Sequence, residues 1–497
     1  MQAWKVYNSA VKCAYVVAAA LFCTFASAAD KLNILNVAAI DSQGDPVTGL
    51  HVADFQLSKD GKPQTIAFFR FTGDQPVPLV KPGPNEYSNR AAAPLRATAI
   101  IIDLLNDRTM SGSVIADDVS RYLKNLESSQ GLYLYILTVN GDLYPLHALP
   151  KPDSEVTPAG EPPAGEPWTR NITAMLQSAF KNVFGFKPVD DRDTVVRFDL
   201  TTHALLEIGS QLRLISGRKN LVWVTHGFPL NGPSISAQGI VDFTNPLRRI
   251  CQQLERAQVV VYPAEQSMSG AAAAIGTESE QSLDEVAAIT GGRRYRSGGL
   301  ADAIRQATTD SRANYEIAYY SAEGKSEGKP DGKHHKLRVV SARKDVRLQT
   351  ESAFNAVLPP VQASDVEQSA FLVAAHSPFD ATEIGLRANV SSDPAARLDM
   401  RLDIRIDAAD LLLRQAQDRR TGKVSIMFAA YSAAGLDQQG APIPLNISLT
   451  PEQYETATHG GIEFKQAVRV GAGTRRVRVI VVDGDLGAVG SLTIPVQ

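Results

Sequence analysis

Asp103 closes a buried strand, and a carboxylate in that position is the strongest candidate for contact with a ligand. Residues 97–103 form a short apolar, β-branched run without alternation, the pattern of a strand buried on both faces. Open α/β sheets bind their ligands at the carboxyl ends of such strands. A second run of this kind, 220–225, leads into His226, Gly227 and Phe228, and a third, 258–262, leads into Pro263 and Glu265. Elsewhere the constellations of catalysis are missing. His334 and His335 precede a strand, and no helical His-x-x-x-His pair exists to hold a peptidase zinc. The turn at Gly185, like the other glycine turns, lacks the Gly-x-x-x-x-Gly-Lys-Ser/Thr phosphate cradle, and no Gly-x-Ser-x-Gly elbow occurs. Asp483 and Asp485 flank Gly484 without the alternating carboxylates and closing Glu of a calcium loop, so they read as a hairpin turn. The sequence assigns no catalytic residue, and the chain reads as a non-enzyme.

Composition narrows the partners. The net charge is −3 and no long block of one sign occurs. Arg293, Arg294 and Arg296 are too small a patch for the basic stripe that nucleic acid requires. Residues 1–28 read as a cleaved secretory signal: Lys5 and Lys12, a short apolar core over 13–25, then Ala26-Ser27-Ala28. That core is too short for a bilayer anchor, and no second apolar run of membrane length follows. The mature chain is expected to be secreted or periplasmic, with no integral membrane span. Cys251 is then the single remaining cysteine, which forbids an internal disulfide. It lies at helical spacing within 247–254 and reads as a buried helix residue.

The elements that position Asp103 alternate in type. Residues 29–75 read as a small antiparallel β unit, with turn signals at Asp41–Pro46 and Lys59–Lys62, and 76–95 as a linker rich in Pro and Gly. Over 96–322 strands and helices take turns: strands at 97–103, 132–138, 220–225, 258–262 and 315–320, and helices near 114–127, 169–184, 200–216, 242–256, 281–289 and 299–312. Such repetition implies a mainly parallel sheet with helices on both faces, interrupted by a low-complexity loop at 150–167. Residues 333–355 are expected to form a β hairpin beside the N-terminal unit. Strand-like segments at 370–375, 384–390, 398–406, 423–432, 444–449, 462–470 and 475–483 make 365–497 an all-β sandwich.

Several separate motifs add to this. Asp41, Gly44, Pro46, Gly49, Leu50, Asp54, Phe55, Leu57, Asp60, Gly61, Lys62, Gln64 and Ile66 come first. The segments 216–223, Tyr262-Pro263, Thr290-Gly291-Gly292, 314–319 and 335–339 follow in order. Together they resemble the secreted von Willebrand factor A-related bacterial proteins found chiefly in acidobacteria, over about 30–355. The resemblance implies a von Willebrand factor A-like, Rossmann-like α/β fold. It also implies a cation site of hard oxygens: Asp-x-Ser-x-Ser on the first strand, a Thr from a following loop and an Asp after a later strand, with one position open for a partner's acidic group. Mapped on this sequence, Asp103 takes the first Asp, Leu105 the first Ser and Asp107 the second. Thr201 or Thr202 takes the loop threonine, and His226 replaces the late Asp.

Leucine supplies no ligand and imidazole is a softer donor than oxygen, so the expected site is degenerate. No cofactor is certain. The residual set of Asp103, Asp107, Thr201, Thr202 and His226 leaves a divalent cation open, Mg²⁺ or Mn²⁺. The functional expectation is an exported binding or adhesion-type protein that grips a protein or envelope polymer with the loops after Asp103, Thr202 and His226. Arg108, His203 and Phe228 are the expected contacts. The alternative is an envelope scaffold in which the C-terminal sandwich makes the contacts.

Overall fold

The computed structural model describes residues 31–496 apart from 74–82, 92–95, 107–118, 125–130, 153–167, 184–193, 216, 235–238, 266–275, 297–299, 322–333, 351–352, 356–362 and 394–395. The signal segment, most of the low-complexity loop, Asp107 and Arg108 lie outside the described residues.

The segment ending at Asp103 is the central strand of a five-stranded sheet. Its order is Val259–Ala264, Lys219–Val224, Thr98–Asp103, Leu132–Leu137, Leu143–His147. The first four run parallel and the last is an antiparallel edge. All six residues of each parallel strand are buried, the consequence of helices on both faces. Period-two alternation divides them between two cores. Ala99, Ile101, Leu221 and Trp223 face the helices Thr194–Leu212 and Thr244–Arg256. Ile100, Ile102, Val222 and Val224 face Ile172–Val183 and Leu300–Asp310. Cys251 is buried in the first of these cores, as its helical spacing implies.

The strand Asn314–Ser321 does not complete this sheet. It pairs antiparallel with Lys31–Ile40 over eight residues and with Ile66–Phe71 on its other side. The anticipated hairpin of 333–355 forms only in part: residues 334–336 pair antiparallel with Ala353–Asn355, but the segment between them leaves for another sheet. His334–Ser341 joins Phe55–Lys59, whereas Arg347–Gln349 joins Lys31–Ile40. A two-stranded hairpin is marginal in water, and each strand gains more by extending a larger sheet. The two resulting sheets close on Val37, Phe55, Tyr315, Ile317 and Leu337.

Two further antiparallel sheets build the C-terminal body, and Leu402, Ile404, Ile426, Phe428, Val479 and Val481 fill one core between them. Six of the seven expected strands are present. The seventh, 370–375, is instead the end of the helix Ala363–His376. Its apolar run satisfies a helix equally well: Phe371, Ala374 and Ala375 share a face and pack on Met427, Ile480 and Val482. Within the segment read as a linker, Glu86–Ser88 is a strand that pairs with Leu386–Asp393.

Glu383 ties these bodies together. Its carboxylate accepts from the backbone N–H groups of Gly217 at 2.8 Å and Val489 at 2.8 Å, and its carbonyl accepts from Arg70 at 2.6 Å. Arg70 also pairs with buried Glu316 at 2.6 Å. Further links run from Ser377 to the Leu214 carbonyl, from Gln349 to the Gly291 carbonyl and from Arg218 to Asn314. Gly217 and Arg218 immediately precede the strand Lys219–Val224, and Leu214 and Gly291 follow helices whose C-termini lie at that same end. Both β bodies therefore dock on the amino end of the parallel sheet. Among the described residues no helix is long and apolar enough to cross a membrane.

Candidate functional site

The chain builds outward from the Thr98–Asp103 strand in one direction to Leu132–Leu137 and in the other to Lys219–Val224. Strand order therefore reverses beside Asp103, the switch point at which such sheets open a crevice. Asp103 and Thr225 lie side by side there.

Asp103 is fully buried, and its carboxylate is enclosed by donors. One oxygen accepts from the Asn106 backbone N–H at 3.0 Å. The other accepts from the Asn106 amide at 2.8 Å, the Trp223 indole N–H at 3.1 Å and the Thr225 hydroxyl at 2.8 Å. Burial pushes the carboxyl pKa up, and these hydrogen bonds, led by Asn106, pull against that. Thr201 joins through Asn106, whose amide donates to its hydroxyl oxygen at 2.7 Å, while the Thr201 hydroxyl donates to the Arg197 carbonyl. Thr202 is not part of the arrangement: its hydroxyl bonds the Phe198 and Asp199 carbonyls within its own helix.

The described residues around Asp103 do not fit a cation. Indole and amide N–H groups are donors only and cannot ligate a metal, yet they hold the coordinating faces of Asp103. Leu105, at the position of an expected oxygen ligand, is fully buried in the core shared with Trp223. Among the described residues, no group of three or more His, Cys, Asp or Glu side chains is gathered as a metal would need.

His226 follows Thr225 and is half-buried. The turn there depends on Gly227 at φ 71°, whose N–H donates to the Thr225 hydroxyl oxygen. His226 and Arg294 both oppose the burial that raises the Glu265 pKa, with burial the largest influence and Arg294 the next. Arg294 itself stands within 3.2 Å of Glu265, Glu280 and Asp284, an ion-pair network rather than a free basic patch.

Of the expected contacts, His203 is exposed on its helix. Phe228 is corrected: it is 1 % exposed, edge-on to Phe198 at 5.3 Å and part of the core, so its ring offers nothing to a partner. Among the described residues Ile240 is the most exposed large apolar side chain, at 82 %, ahead of Leu372 and Val52 on the β bodies. It lies on the two-stranded ribbon Asn231–Ser234/Gly239–Asp242, which follows the carboxyl end of the Lys219–Val224 strand. The ribbon is pinned by the Thr194 hydroxyl, which donates to the Pro233 carbonyl at 2.6 Å, and exposed Val196 sits two residues along the same helix. Nothing local in the sequence marks Ile240. Asn106 was legible in principle, because Asn shortly after a strand end often bonds nearby polar groups in a turn.

No family model matches the chain, and no curated protein matches it. Among solved structures, the human COPII-coat protein Sec24c is similar at 12 % identity and a TM-score of 0.26, covering 59 % of this chain and 51 % of that one. The chain thus spans about half the length of that relative. A von Willebrand factor type A protein from Catenulispora acidiphila is similar at 12 % identity and a TM-score of 0.29, covering 77 % and 74 %. The pilus adhesin SpaC from Lactobacillus rhamnosus GG, in an open conformation, is similar at 8 % identity and a TM-score of 0.27, covering 89 % and 70 %. Likeness at this level is silent on what this chain binds.

Proposed function

We propose that this chain is an exported, non-enzymatic binding protein, secreted or periplasmic. In this reading a von Willebrand factor A-like sheet serves as a rigid platform, and the C-terminal body is a β-sandwich fixed to its base. The partner is a protein or envelope polymer, received on the carboxyl-end face without help from a cation. One observation carries the reading: both β bodies dock at the amino end of the parallel sheet, through Glu383, Ser377 and Gln349. The opposite end is where open sheets of this kind meet their ligands. It also carries the Ile240 ribbon, and an exposed apolar group on a pinned ribbon suits protein contact better than a catalytic cleft.

The test is co-sedimentation of purified protein with cell-envelope fractions in EDTA, comparing wild type with an Ile240→Asp/Val196→Asp double variant of unchanged circular dichroism. Loss of retention in the variant is expected. Retention unaltered by both changes but abolished by substitutions on the C-terminal sheets would instead favour the scaffold reading.

A further inference from the structure

We propose that Asn106 is a built-in substitute for a cation, its amide nitrogen occupying the place between Asp103 and Thr201 that a bridging ion would take. The nitrogen donates to Asp103 at 2.8 Å and to the Thr201 hydroxyl oxygen at 2.7 Å, joining the strand end to the helix Thr194–Leu212. A hard cation bridging the same oxygens would draw them to roughly 2.0–2.6 Å and would need further oxygens around it. Here the further groups are an indole N–H and a backbone N–H, which offer a metal nothing, and the Thr225 hydroxyl, whose proton goes to Asp103 at 2.8 Å while its oxygen accepts from the Gly227 N–H.

The other end of the amide supports the same reading. Asn106 Oδ1 is buried with no hydrogen-bond partner among the described residues, a desolvation that a smaller or apolar side chain would avoid. The chain accepts an unsatisfied carbonyl in order to place the NH₂ group. The joint is therefore closed permanently rather than by ion binding, and the face above it is constitutively formed. This holds whatever partner that face receives.

Thermal unfolding of the full chain tests it, with Mg²⁺, Mn²⁺, Ca²⁺ and Zn²⁺ titrated singly against EDTA. Wild-type protein should show no change in Tm with any ion. Asn106→Asp places a second carboxylate against Asp103 and Thr201. It should melt lower in EDTA and recover on addition of a divalent ion, with one ion bound per chain by calorimetry. Asn106→Leu removes the bridge at similar volume and should lower Tm by several degrees with no response to ions. A wild-type Tm that rises with a cation, and loses that response in Asp103→Asn, would overturn the proposal. So would an Asn106→Leu protein as stable as wild type. Loss of envelope retention alone bears on the partner reading and leaves this one standing.

Discussion

Lys219→Met should stabilise the protein at neutral pH, although it removes a charge beside the carboxylate of Glu383. Lys219 is 3 % exposed at the start of its strand, and burial pulls its pKa down to about 8, against the pull of Glu383 in the other direction. From the ordinary 10.5 that is about 2.5 units, or roughly 3 kcal/mol of cost to holding the ammonium at pH 7. Near-complete burial means little solvent screening discounts it. Methionine keeps the apolar stem, and misfit should return about 1 kcal/mol of the gain. The sign follows from proton counting. Between pH 8 and 10.5 the unfolded chain holds a proton that the folded chain has released, so wild-type stability rises with pH across that window. Buried tyrosines work in the opposite direction above pH 10, so the difference between wild type and variant isolates the lysine. Trp168 and Trp223 both lie in the α/β body, which makes tryptophan fluorescence in urea its natural reporter. Lys219→Met should be more stable by about 2 kcal/mol at pH 7 and, with only the misfit left, less stable by roughly 1 kcal/mol above pH 10.5. A variant less stable than wild type at pH 7, or a constant difference across pH, would refute the reasoning.

Asp483 should titrate near pH 6, because burial raises its carboxyl against the backbone N–H groups of Leu412 and Leu486 that favour the ion. A carboxyl raised in the folded state is a stability contribution present below pH 4 and lost as pH rises to 6, about 3 kcal/mol over that window. Carbon-13 NMR of the carboxyl should give the midpoint, and a value near 4 contradicts its burial. Glu383→Ala removes acceptors from Gly217 and Val489 and should cost about 2–5 kcal/mol. It should also speed proteolysis between the α/β and C-terminal bodies, and a cleavage rate equal to wild type would show that the junction does not depend on this residue.

What could be read in the sequence is what local burial dictates. The run ending at Asp103 is apolar at successive positions and rich in β-branched residues, which favours a doubly covered strand, and the parallel sheet follows from three such runs. The fate of Asn314–Ser321 could not be read, since its pairing with Lys31–Ile40 is set by contacts across the length of the chain. Residues 370–375 failed for a different reason: a short apolar run fits helix and strand alike, and packing on Ile480 decides it. At the site, the position of Asp103 was legible but its surroundings were not. Its indole donor lies on another strand and its hydroxyl donor just past that strand's end, 120 and 122 residues away. Phe228 looked like a loop residue because it follows a glycine, whereas the turn at Gly227 sends its ring inward onto Phe198 and Trp223.

Hydrogen–deuterium exchange of the chain, free and bound to envelope fractions in EDTA, measures most directly where recognition occurs. Protection should appear over 225–242 and the first turns of Thr194–Leu212, with cation addition changing nothing. Protection confined to Leu386–Asp393 and Arg419–Ser432, or present only when a divalent ion is supplied, would contradict a cation-independent carboxyl-end face.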